Sequence, residues 1–273
     1  MIAFLFWPML ACLILTGIHT YLGIHVIRRG VIFVDLALAQ LAALGSTIAL
    51  LFGYDLHDPA TYFFSLGMTF VGAFFFAASR QRREVIPQEA IIGVTYAVSA
   101  AAALIALDQA PGGAEHIRSL LVGNILTVSR ADVIKTALLY LGVGLMHVLC
   151  RNPMMAITFD FEGAVSKGVR IRAWDFLFYM TFGLVVTSSV ALGGVLLVFS
   201  YLIVPALLSL LFAEKILHRM AIGWGIGLIA SLLGLYGSVL WDAPTGASIV
   251  CAFGFLFFFI IAGLRFIKRP TQI

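Results

Sequence analysis

The chain has 273 residues, 62% of them hydrophobic and 11% charged, with a formal net charge of +4. A soluble domain averages about 25% charged residues, so this composition, with a mean hydropathy of +1.07, excludes an ordinary soluble enzyme and describes a polytopic membrane protein. The positive charges are dispersed between apolar stretches, so the excess is no sign of a nucleic-acid partner.

A helix needs about 20 apolar residues to cross the hydrocarbon. On that rule nine spans are expected, at 2–27, 31–53, 60–79, 90–107, 132–150, 174–192, 195–213, 220–240 and 246–266. The first is too long for a signal-peptide core and has no small-residue cleavage motif, so it is expected to stay in the protein. It closes on Arg28-Arg29, and the second span opens with Asp35 a few residues in. Between the fourth and fifth spans, Ile117–Val128 is apolar but too short to cross, which predicts a surface or re-entrant piece. The sixth and seventh spans are separated by little more than Gly193-Gly194, and Pro205 lies within the seventh. Such interrupted segments occur in membranes where freed backbone groups are covered by protein or line a cavity. The fold class expected is therefore all-α, with about nine transmembrane helices in a single domain over residues 1–273.

Lys and Arg set the orientation. Fourteen of them (Arg28, Arg29, Arg80, Arg82, Arg83, Arg151, Lys167, Arg170, Arg172, Lys215, Arg219, Arg265, Lys268 and Arg269) fall on one side of the alternating spans, and Arg118, Arg130 and Lys135 on the other. The sparse side carries Asp55, Asp58, Asp108, Glu115, Asp132 and Asp242 instead. This predicts the N-terminus outside and the C-terminus in the cytoplasm. The longest inside loop is Arg151 to Ala173, and no G-x-x-x-x-G-K-[ST] occurs, so the chain has no P-loop of its own for ATP hydrolysis. Cys12, Cys150 and Cys251 lie within or at the edges of spans and read as small buried residues. His19, His25 and His147 are not spaced as a cluster, and a lone membrane histidine more often bonds a neighbouring helix than a metal. No His-Glu-x-x-His, Ser/His pair or Asp pair marks an intramembrane enzyme.

A carboxylate at the centre of a membrane helix costs about 2.5–3.5 kcal/mol on insertion scales. Asp35 therefore either faces a cavity, partner or cation, or pairs with Arg28, Arg29 or its own helix start. On the outer loops, His57-Asp58 and Glu115-His116 lie near Asp55 and Asp108. They are either the mouth of a metal path and a docking surface, or ordinary loop polarity.

Several segments together resemble one family. The Arg28-Arg29 end with an aspartate six residues on, Glu89-Ala90-Ile91-Ile92-Gly93, Leu120 through Asp132, Gly194-Val195-Leu196-Leu197 through Val204-Pro205-Ala206, and Asp242-Ala243-Pro244-Thr245-Gly246 follow, in order, the pattern of ABC-3 permeases of bacterial zinc and manganese uptake systems. The resemblance implies a permease in the bacterial plasma (inner) membrane, surrounded by lipid and acting as a homodimer. It implies an ATP-binding subunit below and an extracytoplasmic metal-binding protein above, with a divalent metal as cargo and no cofactor held by the chain. It also implies a coupling segment within about 151–173, where Glu162, Ala164 and Gly168 match; Ala164 and Gly168, four apart, would share a helical face. Asp35, the candidate metal ligand, would line the pathway with Gln40 and Glu89. The family's histidine four residues after the aspartate is here Ala39, and Gln40 follows at five. One inserted residue absorbed as a π-bulge would bring Gln40 into the histidine's place. Oxygen ligands in place of imidazole suit manganese or ferrous iron better than zinc. The competing reading is a gradient-driven secondary transporter with Asp35 and Glu89 as its relay.

Overall fold

The computed structural model describes residues 2–55, 58–80, 86–108 and 125–267. Among them are nine helices long and apolar enough to cross a membrane: α1 (Ile2–Arg29), α2 (Val34–Leu51), α3 (Pro59–Ser79), α4 (Gln88–Asp108), α5 (Arg130–Leu149), α8 (Ile171–Gly193), α9 (Val195–Phe212), α10 (Ile216–Trp241) and α11 (Thr245–Ile267). Two short helices, α6 (Arg151–Phe159) and α7 (Phe161–Ser166), form a corner between α5 and α8. All nine expected spans are present, each shifted by a few residues at its ends.

The helices sort by how much of their surface the protein covers. Over their most apolar stretches α1, α2 and α8 are 61–67% buried, whereas α4 and α11 are 22% and 11% buried and so leave most of their apolar surface to lipid. On one side α2 packs against α3, α4 and α8; on the other α1 packs against α9 and α10, and α10 against α11. Tyr179, Phe178 and Phe182 of α8, Phe76 of α3, Tyr201 of α9 and Phe253 of α11 fill the centre. Apolar surface gains little by moving from lipid to protein, so packing and small residues hold such bundles together. The crossing of α2 over α3 illustrates this: a Cβ built on Gly45 would come within 2.4 Å of the Phe64 carbonyl oxygen.

The caps explain several boundaries. At the end of α1 the Val31 N–H donates to the Val26 carbonyl and the Gly30 N–H to the Ile27 carbonyl, both at 3.2 Å, with Gly30 at φ +68°. This is a Schellman cap, whose left-handed position favours glycine. It returns the chain into α2 within four residues. Ser129 caps α5 by accepting from the Asp132 N–H at 3.1 Å. Ile125 to Thr127, the part of the expected short segment that is described, form one 3-10 turn with Ile125 fully buried beside α1. The α8–α9 junction is Gly194 alone, and α9 runs through Pro205 without a break.

Arg28, Arg29, Arg80, Arg151, Lys167 and Arg170 gather at the end of the bundle that carries α6 and α7, while Asp55, Asp58, Asp108 and Asp242 lie at the ends of α2, α3, α4 and α10 that point away from it. The basic asymmetry predicts that the α6–α7 end is cytoplasmic. With the three native cysteines replaced, a membrane-impermeant thiol reagent should label Asp58→Cys in intact cells and Ser166→Cys only after lysis. The opposite pattern would invert the topology.

Candidate functional site

Asp35 occupies the first turn of α2 and is 2% exposed. The backbone N–H groups of its own residue and of Leu36 bond its carboxylate, and the charge of Glu89 acts on it. Its Oδ1 has no hydrogen-bond partner. Glu89 stands in the first turn of the neighbouring α4; its Oε1 accepts from the Phe33 N–H at 3.0 Å, while its Oε2 is buried without a partner. Two adjacent helices thus present an acid each at their N-terminal ends, where the helix dipole favours negative charge, and each acid keeps one buried oxygen unsatisfied. A buried acceptor left unpaired costs about 1–3 kcal/mol, more when charged. Oxygen donors of this kind suit a hard divalent cation. No group of three or more His, Cys, Asp or Glu side chains stands together among the described residues, so one chain offers an open, partial set of ligands. Arg28 and Arg29, the expected pairing partners of Asp35, are engaged elsewhere.

The expected π-bulge does not form. Helix α2 is regular from Val34 to Leu51, so Gln40 is turned about 140° from Asp35 and Ala39, 2% exposed, stands one turn along from it. Gln40 instead joins Leu36, Leu44 and Ile48 in a half-buried stripe along a helix otherwise almost wholly covered. The second correction concerns the coupling segment. Helix α7 ends at Ser166, and Gly168 lies beyond it in a second Schellman cap, with Val169 N–H donating to the Ala164 carbonyl at 3.1 Å and Gly168 N–H to that of Val165 at 3.0 Å. Gly168 is the left-handed stop at φ +71°. Ala164 is buried against its own chain, so the two residues share no helical face; Glu162, Ser166, Lys167 and Gly168 are exposed. At the end of the bundle away from α6 and α7, Asp58 Oδ2 accepts from the Asp55 N–H at 2.9 Å, and the Thr61 hydroxyl donates to the Asp55 carbonyl at 2.7 Å. These two acids shape the turn into α3. His57, Glu115 and His116 lie outside the described residues.

The most heavily bonded polar cluster was not foreseen from the sequence. Asp175, in the second turn of α8, is fully buried and takes two arginines: Arg29 Nη1 at 2.6 Å and Arg80 Nη1 at 3.0 Å. Arg29 also donates Nε to Thr158 Oγ1 at 3.1 Å and sits 4.0 Å from the centre of the Phe178 ring. Arg80 lies 4.7 Å from the centre of the Phe161 ring. From this triad a polar column continues between α1, α5 and α8. His25 Nδ1 meets Thr158 Oγ1 at 2.8 Å, and His147 reaches Tyr21 at 3.2 Å and Thr181 at 2.9 Å. His19 Nε2 meets Ser189 Oγ at 3.1 Å, and Ser189 hydrogen-bonds Tyr140. The three intramembrane histidines each bond a neighbouring helix, as expected of isolated ones. Cys12, Cys150 and Cys251 are all free, but only Cys12 is buried as expected; Cys150 is half-buried and Cys251 lies exposed on α11.

This architecture, nine membrane helices around buried acids with no closed ligand cage among the described residues, is that of a multi-pass membrane transport protein. Residues 1–263 match the model of the ABC 3 transport family, and the chain belongs to that family. It is 26% identical to the manganese transport system membrane protein MntC of Halalkalibacterium halodurans over 96% of its length and 87% of that protein's. It is likewise 26% identical to the manganese import system permease protein ScaB of Streptococcus parasanguinis, over 88% and 84% of the two chains. Among solved structures it resembles a chain of PsaBC from Streptococcus pneumoniae in complex with Fab, at TM-score 0.77 and 21% identity, covering 94% of this chain and 90% of that one.

Removing one partner of a buried ion cluster costs about 3–5 kcal/mol, because the remaining charges stay uncompensated. Asp175→Ala, which leaves two arginines facing each other, should lower stability by that order in denaturant titrations in detergent. Thr158→Val, which strips the buried Arg29 Nε and His25 Nδ1 of a partner, should cost about 1–3 kcal/mol.

Proposed function

We propose that this chain is the permease subunit of an ATP-driven importer of a divalent transition metal, with manganese or ferrous iron as cargo in preference to zinc. Two copies enclose the path in the bacterial inner membrane. An ATP-binding subunit engages α6 and α7 on the cytoplasmic side, and an extracytoplasmic binding protein delivers the metal to the outer face. No cofactor resides in the chain, and the metal is substrate.

The observation that carries this reading is the pair of unpartnered carboxylate oxygens on Asp35 and Glu89, in a chain of a transport family whose relatives are named for manganese. A pathway must bind a cation well enough to admit it and loosely enough to release it. Two acids on adjacent helix starts, without a third ligand of the His, Cys, Asp or Glu kind nearby among the described residues, suit passage rather than storage. The stripe of Leu36, Gln40, Leu44 and Ile48 supports the homodimer, since an amide left against lipid is unfavourable and a second α2 would cover it. The exposed Glu162, Ser166 and Lys167, together with the α6–α7 corner itself, suit a docking partner on the cytoplasmic side.

The test is reconstitution with the ATP-binding subunit and radioactive manganese. Uptake should require ATP and survive collapse of proton and sodium gradients; uptake driven by a gradient without ATP would establish the secondary transporter instead. Asp35→Asn keeps the side chain's shape and should lower uptake at least tenfold, with the protein still inserted. Ala39→His should shift preference toward zinc, since imidazole favours it, whereas Gln40→His should not, because it faces away from Asp35. Normal transport by Asp35→Asn would mean that the path lies elsewhere.

A further inference from the structure

The ion triad ties together the ends of α1 and α3, the start of α8 and the α6–α7 corner. Asp175 belongs to the second turn of α8, Arg29 is the last residue of α1, and Arg80 follows the end of α3. Each arginine also touches one arm of the α6–α7 corner. Arg29 Nε bonds Thr158 in the last turn of α6 at 3.1 Å, and the Arg80 guanidinium lies over Phe161, the first residue of α7, at 4.7 Å. Asp160, between the two, caps α7 by accepting from the Gly163 N–H at 3.0 Å, so the corner is a rigid piece. On the membrane side Arg29 leads directly into the Gly30 cap and, six residues on, to Asp35. The same carboxylate of Asp175 therefore ties the corner to the helix end from which the candidate cation ligand hangs.

We propose that Asp175 and its two arginines form the relay by which a push on the α6–α7 corner reaches the start of α2. In this relay Thr158 and Phe161 are the contact points on the corner, and Arg29 and Asp175 are positioning residues that act on Asp35 through the four-residue turn. The inference rests on the permease reading above, and it goes further by naming the side chains that convert ATPase engagement into a change at the metal path. The triad suits that task. It is sealed from water, with Arg29 and Asp175 side chains fully buried, so its charges are little screened. It also binds by short directional contacts that move their partners as a unit.

The relay is tested in proteoliposomes holding the complex of this chain with its ATP-binding subunit, reading ATP hydrolysed per manganese imported. Thr158→Val with Phe161→Leu leaves the triad whole and cuts its two links to the corner, together with the His25–Thr158 bond. Couplings between protein sites typically amount to about 5–150-fold, so the double variant should raise the ATP-to-manganese ratio by about fivefold or more, with hydrolysis itself within about twofold of the wild type. Asp175→Asn should do the same if it inserts, and Arg80→Lys, which keeps the charge, should restore part of the coupling lost in Arg80→Met. A purely structural role would lower hydrolysis and uptake in step. An unchanged ratio in the double variant, whether both activities fall together or neither falls, overturns the relay. A wild-type complex that imports no manganese with ATP overturns the permease reading and the relay with it, which separates the two failures.

Discussion

A carboxylate sealed inside an apolar bundle must be met by its own chain, and in this protein the one at Asp175 fixes how the end of the bundle that carries α6 and α7 is assembled. Its two oxygens hold Arg29 and Arg80, so the ends of α1 and α3 and the start of α8 cannot separate without leaving a bare charge in a medium of low dielectric. One carboxylate against two guanidinium groups is not neutral. The surplus is spread by the Phe178 ring under Arg29 and the Phe161 ring under Arg80, each a cation–π contact of about 0.5–2 kcal/mol depending on desolvation. Buried ion clusters add little net stability against an apolar core of equal volume, because desolvation offsets their attraction. What this one contributes is geometry: it sets where α6 and α7 sit relative to the turn that starts α2.

The acids at Asp35 and Glu89 show the contrasting state. Asp175 is saturated by partners, whereas Asp35 and Glu89 each keep one buried oxygen free. The same chemical group, placed one turn into neighbouring helices of one bundle, is structural where guanidinium groups reach it and available to a cation where they do not. Between these two kinds of site, the column of His25, His147, Tyr21 and Thr181 fixes α1 against α5 and α8 by side-chain hydrogen bonds.

Much of this was legible in the sequence. Nine runs of apolar residues gave nine helices, because hydropathy over twenty residues is decided by composition and tolerates error at the ends. The cost of intramembrane charge singles out Asp35 and the family resemblance Glu89, and the structure sets both in the first turns of adjacent helices. The same rule points to Asp175, yet a lone acid near the start of an apolar run says nothing about which arginines will reach it from 95 and 146 residues away. Arg29 and Arg80 count in the sequence toward the charge asymmetry, and Arg29 as a candidate partner of Asp35, not of Asp175, for the same reason. Spacing misled where it assumed helix beyond its end: Ala164 and Gly168 are four apart, but α7 ends at Ser166 and Gly168 is itself the left-handed stop beyond it. At Gln40 the family's pattern suggested a bulge, and the alanine-rich surroundings, all good helix formers, gave regular helix instead.

The central claim is that the unsatisfied oxygens of Asp35 and Glu89 see the transported cation. The most direct measurement is the anomalous scattering of manganese in crystals of the complex trapped before ATP hydrolysis. The account predicts a manganese peak beside Asp35 Oδ1 and Glu89 Oε2 that vanishes in Asp35→Asn. Manganese bound elsewhere in the membrane region, with Asp35 and Glu89 bare in the wild type and the same peak retained in the variant, would contradict it.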